Sequence, residues 1–235
     1  MGEPRETGIV DLWTLPLDVP SKWLTGPRGL LDADDWTRVR RAVRADKRRE
    51  RFASLAWRTI VEARYAESRE EPAGPGPNLS LSHSSNWMLI ATCWEDRVGI
   101  DIERTRPLLR LDRLIRRFFS DREVDELLRL KREERDAAFF RTWVRKEAYL
   151  KAVGGGVPAG LRRFSVSIAP DEPPAIRSTR LEDGGVSSFS LHDLDVPEGH
   201  AGALAVEGTG HRIRYMSTNV GDKLRRYSSG TTMIP

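Results

Sequence analysis

The chain has 235 residues, of which 39% are hydrophobic and 31% charged, a composition typical of a soluble globular protein with a sizeable core. Its single cysteine excludes an intrachain disulfide and a zinc site made of four cysteines, and is the usage expected in a reducing cytoplasm. The formal net charge is only +4, so the positions of the charges matter more than their sum.

Three observations predict a cytoplasmic protein that does not contact a membrane. The best apolar run, WMLIATCW at 87–94, is the length of a strand and too short to cross a bilayer. The first ten residues include acidic side chains and no apolar run, so we expect no signal peptide. Glu6 breaks the pattern required for N-myristoylation.

The first half of the chain predicts a strand, a long helical region and three further strands. Residues 8–17 are typical of an opening strand, and residues 32–67 have apolar positions at helical spacing. Prolines and glycines predict a loop at 70–78. The next segment, LSLSHS, alternates like a strand, and 87–94 is typical of a buried strand. The tripeptide EDR then predicts a turn into VGIDIE, so that the last two strands form a hairpin.

The second half predicts a run of helices followed by a run of strands. Helices are expected near 108–117, 120–132 and 135–152, ended by GGGVP at 154–158, and strands near 163–168, 186–192, 201–206 and 212–216. Residues 170–185 are typical of a loop, and the tail after 219 is expected to fray. Because a helix-then-strand order occurs twice, we expect an α+β fold of two similar lobes.

Basic residues crowd two segments. The first contains Arg38, Arg40, Arg41, Arg44, Lys47, Arg48, Arg49 and Arg51, and the second contains Arg110, Arg113, Arg116 and Arg117. Such clusters attract phosphates or an acidic partner, although a solvated helix face explains either cluster equally well by itself. A nucleic-acid-binding protein is one alternative, but no base-stacking aromatic pattern or known module accompanies the first cluster.

Two acidic residues flank Ile102 in the predicted strand VGIDIE. Side chains alternate along a strand, so Asp101 and Glu103 are expected on one face, where their charges repel each other. Either a bound cation or plain solvent would neutralise them.

The helix predicted over 136–156 has Trp143, Glu147 and Lys151 near one face. An exposed Glu147–Lys151 ion pair is the ordinary explanation of that spacing. His83 precedes a buried strand. A Ser82–His83–Asp101 hydrolase is set aside, because no G-x-S-x-G motif occurs and adjacent side chains diverge.

Taken together, these segments resemble the 4'-phosphopantetheinyl transferases, most closely the monomeric type that activates surfactin synthetase. Gly99, Asp101 and Glu103 match the G-x-D-x-E motif of that family; Trp143, Lys146, Glu147 and Lys151 match its W-x-x-K-E-x-x-x-K motif; Ser82, His83 and Ser84 match its S-H-S element. The resemblance extends over roughly 38–166 and includes FFSDREVDEL at 118–127, between the two motifs.

The resemblance implies transfer of phosphopantetheine from coenzyme A to a serine of a carrier protein, with release of 3',5'-ADP. It implies that Asp101, Glu103 and Glu147 bind Mg²⁺, with Mn²⁺ as an alternative ion. The implied contacts to coenzyme A come from Arg38, Arg41, Arg49, Ser82, His83, Lys146 and Lys151, with the three arginines at its 3'-phosphate.

The resemblance leaves two residues as candidates for the base that deprotonates the carrier serine. Glu147 is the first candidate and Glu123 the second. Ser120 and Glu123 also match a helix capping box, which is an equally good explanation of Glu123. His83 and Lys151 are expected to contact phosphate oxygens during the reaction.

The family resemblance also implies an architecture and a partner. We expect a monomer with an N-terminal lobe at 1–95, a C-terminal lobe at 96–219 and a flexible tail at 220–235, the lobes being related by a pseudo-twofold axis around the active-site cleft. The cluster Arg110, Arg113, Arg116 and Arg117 suits an acidic carrier protein. The G-K-P element that the family carries before S-H-S is replaced here by PAGPGPN. A degenerate protein that binds coenzyme A or a carrier without catalysis is therefore the alternative.

Overall fold

The computed structural model describes residues 8–19, 30–66, 76–154, 158–180 and 188–216. Within them lie β1 (Ile9–Pro16), α1 (Ala33–Arg40), α2 (Ala45–Ala66), β2 (Asn78–Ser84), β3 (Trp87–Cys93), β4 (Val98–Arg104), α3 (Leu111–Phe118), α4 (Asp121–Arg129), α5 (Arg132–Ala152), a 3₁₀ helix (Pro158–Arg163), β5 (Phe164–Val166), β6 (Ile176–Thr179), β7 (Phe189–Asp193), β8 (His200–Glu207) and β9 (Arg212–Met216).

Most elements agree with the sequence-based expectations to within a few residues. The long helical region is broken between Arg40 and Ala45, so that two helices, α1 and α2, replace one. Strand β6 lies inside the segment expected to be a loop. The flexible tail and most of the predicted loop at 70–78 fall outside the described residues. None of the described helices combines the length and apolar character needed to span a bilayer.

The strands form two main sheets and a small one. One sheet has the order β2-β3-β1-β9, the second has the order β4-β8-β7, and β5 pairs with β6. The pairs are antiparallel except that β9 runs parallel to β1. Strand β9 therefore belongs to the sheet of the N-terminal strands, although the expected boundary at 95 assigns it to the C-terminal lobe.

The predicted hairpin between β3 and β4 is wrong. Strand β3 pairs with β2 and β1, whereas β4 pairs with β8 in the other sheet. The hairpin that does form joins β2 to β3 through Ser85 and Asn86, and Ser85 has a left-handed φ of 54°. The EDR tripeptide instead carries the chain from one sheet to the other.

The two main sheets pack face to face, and alternation along each strand assigns successive side chains to different layers. Leu12 and Leu89 point into the layer between the sheets, where they join Ile100 of β4 and Leu204 of β8. Their neighbours Trp13, Leu15, Met88 and Ile90 pack instead with Phe52, Trp57 and Ile60 of α2. Helix α5 covers the other face of the second sheet. The result is a mixed α/β fold in layers, with α2 on one outer face and α5 on the other.

Candidate active site

A glycine fixes the distance between helix α5 and strand β4. A Cβ added at Gly99 would stand 2.0 Å from the carbonyl oxygen of Ala148 and 2.4 Å from the amide nitrogen of Ala152. Only glycine allows the backbone of the strand to approach the helix so closely. This contact brings Glu147 and Lys151, on the same stretch of α5, next to the acidic end of β4.

Lys151 joins helix α5 to strands β2 and β4. Its Nζ donates to Asp101 Oδ1 at 2.8 Å, to the carbonyl oxygen of Ile100 at 2.9 Å and to that of Leu81 at 3.4 Å. The ion-pair partner of Lys151 is therefore Asp101. The exposed Glu147–Lys151 ion pair that helical spacing suggested is not the contact that Lys151 makes.

Three alternate serines of β2 face β4, the edge strand of the other sheet. The Ser80 hydroxyl accepts a hydrogen bond from the Ile100 amide at 3.1 Å. Ser82 Oγ donates to Asp101 Oδ1 at 2.7 Å. The alternation of LSLSHS thus does more than form a strand, because its hydroxyls tie the edges of the two sheets together.

The third serine orients the second acidic residue. Ser84 Oγ donates to Glu103 Oε2 at 3.0 Å and accepts a hydrogen bond from the Arg104 amide at 3.0 Å. The S-H-S element therefore supplies one hydroxyl to each of the two carboxylates of β4. The sequence analysis grouped these residues but missed the pairing.

Asp101, Glu103 and Glu147 gather at one place and repel each other. Burial raises the pKa of Glu147, the negative charges of Asp101 and Glu103 raise it further, and Lys151 opposes them. Asp101 is buried, and its Oδ2 atom has no hydrogen-bond partner among the described residues. Neighbouring carboxylate oxygens, one of them buried and unpaired, are the ligands that Mg²⁺ prefers, so these residues fit a divalent cation. Their oxygens are less tightly grouped than the ligand atoms of Cys93, Asp96 and His211, which are described below.

His83 lies across a cavity from the basic segment. The cavity has a volume of about 480 Å³ and is lined by Arg38, Ala42, Lys47, Glu50, Arg51, Ser54, Leu55 and His83. His83 is exposed, with its Nδ1 3.8 Å from Glu50 Oε1. Arg51 links α2 to α1 by donating to the carbonyl oxygen of Arg38 at 3.3 Å.

The structure distinguishes among the residues expected to contact coenzyme A. Arg38 and His83 line the cavity, whereas Arg41 and Arg49 do not. Lys47 and Arg51 line it as well, although the sequence analysis named them only as members of the cluster. The signal that could have found them is the spacing of four residues, which brings them to one face of α2.

Glu123 and Lys146 are paired in the core, away from the cleft. Lys146 Nζ donates to both Glu123 oxygens, at 2.8 and 2.7 Å, and to the carbonyl oxygen of Phe164 at 2.6 Å. Both side chains are at most 1% exposed. Burial lowers the pKa of Lys146 to about 8, although the Glu123 carboxylate raises it.

Glu123 has further partners that explain its position. Its Oε2 accepts from the amide and hydroxyl of Ser120, and its Oε1 accepts from the Val166 amide. The capping-box interpretation is confirmed. The assignments of Glu123 as a base and of Lys146 as a coenzyme A ligand disagree with this burial, because both side chains are enclosed and paired with each other.

The tryptophan of the second motif is a packing residue. Trp143 meets Phe118 edge to face at 5.3 Å between ring centroids and stacks on Phe139 at 5.9 Å. It thereby attaches α3 to α5, and the segment between the two motifs is held against the helix that carries Glu147 and Lys151.

Comparisons with known proteins identify the family of the chain. The family model described as the 4'-phosphopantetheinyl transferase superfamily matches residues 97–206. Over 223 residues the chain is 32% identical to the 4'-phosphopantetheinyl transferase HetI of Nostoc sp., covering 88% of this chain and 91% of that protein. It is also 34% identical over 100 residues to the 4'-phosphopantetheinyl transferase Sfp of Bacillus subtilis, covering 43% of each chain.

The extent of these matches establishes the family. The chain belongs to the 4'-phosphopantetheinyl transferase superfamily and is a transferase of that class. The crystal structure of Thermotoga maritima holo-[acyl-carrier-protein] synthase matches 48% of this chain and 63% of that chain, with a TM-score of 0.36 and 20% identity. That likeness is too low to support an argument about the fold.

Proposed function

We propose that this protein transfers the 4'-phosphopantetheine arm of coenzyme A to a serine of an apo acyl or peptidyl carrier protein and releases 3',5'-ADP. Membership of the superfamily supports the reaction class. The observation that carries the proposal for this chain is the contact of Lys151 and Ser82 with one oxygen of Asp101 while the other oxygen is buried and unpaired.

Asp101, Glu103 and Glu147 would bind Mg²⁺ or Mn²⁺. When bound, the ion neutralises negative charge on the diphosphate of coenzyme A. The serine hydroxyls of β2 hold Asp101 and Glu103 in place beforehand. Lys151 keeps its ammonium group beside these carboxylates, where it can also donate to a phosphate oxygen.

Glu147 is the proposed base. The carrier serine oxygen forms a bond to the β-phosphorus, the bond from that phosphorus to the oxygen shared with the α-phosphorus breaks, and the serine proton passes to Glu147. Glu147 lies beside the other two acidic residues of the site, where it can accept this proton directly or through a metal-bound water. Glu123 is not proposed for this role, because its carboxylate is occupied by Lys146.

The cavity beside His83 is the proposed place for the 3'-phosphate end of coenzyme A. Arg38, Lys47 and Arg51 line it and supply positive charge, and His83 can donate to a phosphate oxygen. Arg41 and Arg49 lie on the same helical pair, and their contacts to the 3'-phosphate stay predictions. A small anionic ligand therefore accounts for the basic segment better than a nucleic acid does.

An exposed basic surface on α3 is the proposed docking site for the carrier. Arg110, Arg113, Arg116 and Arg117 are all exposed, and Leu109 next to them is 92% exposed. Positive charge beside an apolar side chain suits an acidic partner.

We also infer a cytoplasmic monomer with two lobes related by a pseudo-twofold axis. The order of the layers, which is helix, sheet, sheet, helix, supports the two lobes.

The experiment is an intact-mass measurement on an apo carrier protein mixed with this protein, coenzyme A and Mg²⁺. We expect a mass gain equal to one phosphopantetheine arm, lost on adding EDTA. Asp101→Asn, and likewise Asp101→Ala, should abolish the gain and keep the fold, whereas Asp125→Asn, an exposed residue of α4, should keep both.

Two outcomes would contradict the proposal. Wild-type rates in the Asp101 variants would remove the metal assignment. No mass gain with fatty-acid, polyketide and peptide carriers, while coenzyme A still binds, would favour the degenerate binding protein. A salt-dependent gel shift with random DNA would instead favour the nucleic-acid alternative.

A further inference from the structure

A second group of metal-ligating side chains lies at the opposite end of β3 from the S-H-S element. It consists of Cys93, Asp96 and His211, whose ligand atoms all lie within 4.8 Å of one another. Cys93 ends β3, Asp96 lies in the connection to β4, and His211 immediately precedes β9. Cys93 is four positions along β3 from Leu89, the partner of Ser82, which is about 14 Å of strand.

The imidazole of His211 is buried with only one of its nitrogens satisfied. The side chain is 5% exposed, and its Nε2 lies 2.7 Å from Asp96 Oδ2. The Nδ1 atom is buried and has no hydrogen-bond partner among the described residues. Because Nε2 faces Asp96, an ion shared by these two side chains would bind Nε2 and take the place of their hydrogen bond.

Two neighbours share these surroundings. Cys93 is buried. His192 of β7 has a buried Nε2 that also lacks a partner in the described part of the chain.

We propose that Cys93, Asp96 and His211 form a binding site for a transition-metal ion of the zinc type. Sulfur, imidazole and carboxylate together are the ligands of Zn²⁺ and Co²⁺, whereas the all-oxygen group of Asp101, Glu103 and Glu147 suits Mg²⁺. The protein therefore has two sites of different chemistry at the two ends of β3. This inference is independent of the proposed transfer reaction.

The geometry requires only small adjustments to receive the ion. Ligands of a tetrahedral zinc ion lie about 3.3–3.8 Å apart, because each is about 2.0–2.3 Å from the metal. The three ligand atoms here lie within 4.8 Å of one another. Asp96 belongs to a connection and is partly exposed, so it can move while the cysteine at the end of its strand stays fixed.

The ion would join three segments that are distant in sequence. It would tie the end of β3 and the connection to β4 to the start of β9, which pairs with β1 alone at the edge of its sheet. An ion that binds the folded protein and not the unfolded chain stabilises the fold. We therefore expect the ion to attach the C-terminal strand β9 more firmly.

The test uses Co²⁺ added to the metal-stripped full chain, read by absorption. The chain has one cysteine, so a sulfur-to-cobalt charge-transfer band can arise only from Cys93. We expect this band to saturate at one ion per chain and the melting temperature to rise. Cys93→Ser should abolish the band, and His211→Gln should weaken binding by at least ~10-fold.

A matched histidine provides the control. His200 starts β8, whose other end leads to His211, and, like His211, it has one buried ring nitrogen without a partner among the described residues. His200→Gln should leave the band and the affinity unchanged. Absence of the band in the wild-type protein would overturn the proposal without the use of any variant. A band of unchanged affinity in a folded His211→Gln protein would overturn it as well.

Discussion

Gly99 of β4 lies against the backbone of α5, where an added Cβ would stand 2.0 Å from the carbonyl oxygen of Ala148. Two motifs that are more than forty residues apart in the sequence meet at this contact. The acidic strand provides Asp101, and the helix provides Lys151, whose ammonium group is 2.8 Å from it. The glycine of G-x-D-x-E thus determines how close the two sets of functional side chains can come.

Gly99→Ala should therefore damage both stability and activity. The new methyl group clashes with backbone that cannot rotate away, so we expect a loss of about 1–3 kcal/mol in the free energy of unfolding. Transfer should fall further than the folded fraction does, because α5 must move away from Asp101. Urea unfolding and transfer rates check this. In Gly160→Ala the added Cβ would meet only the side-chain tip of Leu150, at 3.2 Å, so this control should lose less of both.

Glu147→Gln should separate function from stability. It removes the proposed base and one of three neighbouring negative charges, so we expect at least a ~100-fold loss of transfer. Stability without metal should be equal to or greater than that of the wild type, because the repulsion from Asp101 and Glu103 disappears. Thermal unfolding in EDTA and transfer assays measure the two effects.

The control for this charge removal lies on the same helix. Glu134 is exposed in the first turn of α5, so Glu134→Gln should keep wild-type transfer. A Glu147→Gln protein that transfers at the wild-type rate would leave the reaction without its proposed base.

Lys146 and Glu123 should act as a structural pair. Lys146→Met leaves a buried carboxylate without its partner, so we expect a loss of about 3–5 kcal/mol in unfolding free energy. The double variant Lys146→Met/Glu123→Gln should lose clearly less than the sum of the single losses. Urea unfolding of the four proteins gives the coupling. A folded and stable Lys146→Met protein with a raised KM for coenzyme A would instead restore its assignment as a ligand.

Local patterns in the sequence predicted most elements and the composition of the site. Alternation identified β2, and the spacing of Glu147 and Lys151 correctly put them on one side of a helix that faces Asp101. These features depend on residues a few positions apart, or on motifs that resemble a family. They did not reveal that Ser82 and Ser84 each bond one carboxylate, because that depends on the register between two sheets.

Long-range pairing was beyond these patterns. The turn after β3 looked like that of a hairpin. The alternation of side chains in β4 does not specify which strand pairs with it, however, and its partner β8 lies about a hundred residues later in the chain. The return of β9 to β1 was missed for the same reason. Lys146 was assigned to coenzyme A because it matches the second family motif. Successive helix positions point about 100° apart, however, and this rotation turns Lys146 into the core while Glu147 faces the site.

The basic surface on α3 should control the use of the carrier protein. Raising the salt concentration should increase KM for the carrier more than KM for coenzyme A, because charges on exposed surfaces are screened. The double variant Arg113→Glu/Arg117→Glu should raise KM for the carrier by about tenfold or more and leave coenzyme A binding unchanged. Steady-state kinetics with each substrate varied in turn provides both constants.

The matching control for that variant changes the charge elsewhere. Arg129 is exposed at the end of α4, so Arg129→Glu alters the net charge without touching the surface of α3. Equal salt sensitivity of the two KM values, or an equal effect of Arg129→Glu per charge, would contradict docking on this surface.

Tyr65 should make the stability fall at high pH. Its hydroxyl donates to Asp11 Oδ2 at 2.6 Å, and burial, reinforced by Asp11, raises the pKa of Tyr65 from 10.0 to about 12. Between these values the folded protein keeps a proton that the unfolded chain has released, so unfolding becomes easier as pH rises.

Tyr65→Phe should lose about 1 kcal/mol of unfolding free energy at neutral pH through the missing hydrogen bond. Its unfolding free energy should nevertheless decline less than that of the wild type between pH 10 and 12. Urea unfolding across that range measures the slope, and Tyr215→Phe, at a 54% exposed position on β9, should keep the wild-type slope. A slope in Tyr65→Phe equal to that of the wild type would mean that other groups cause the loss, because the substitution removes the only proton that this prediction concerns.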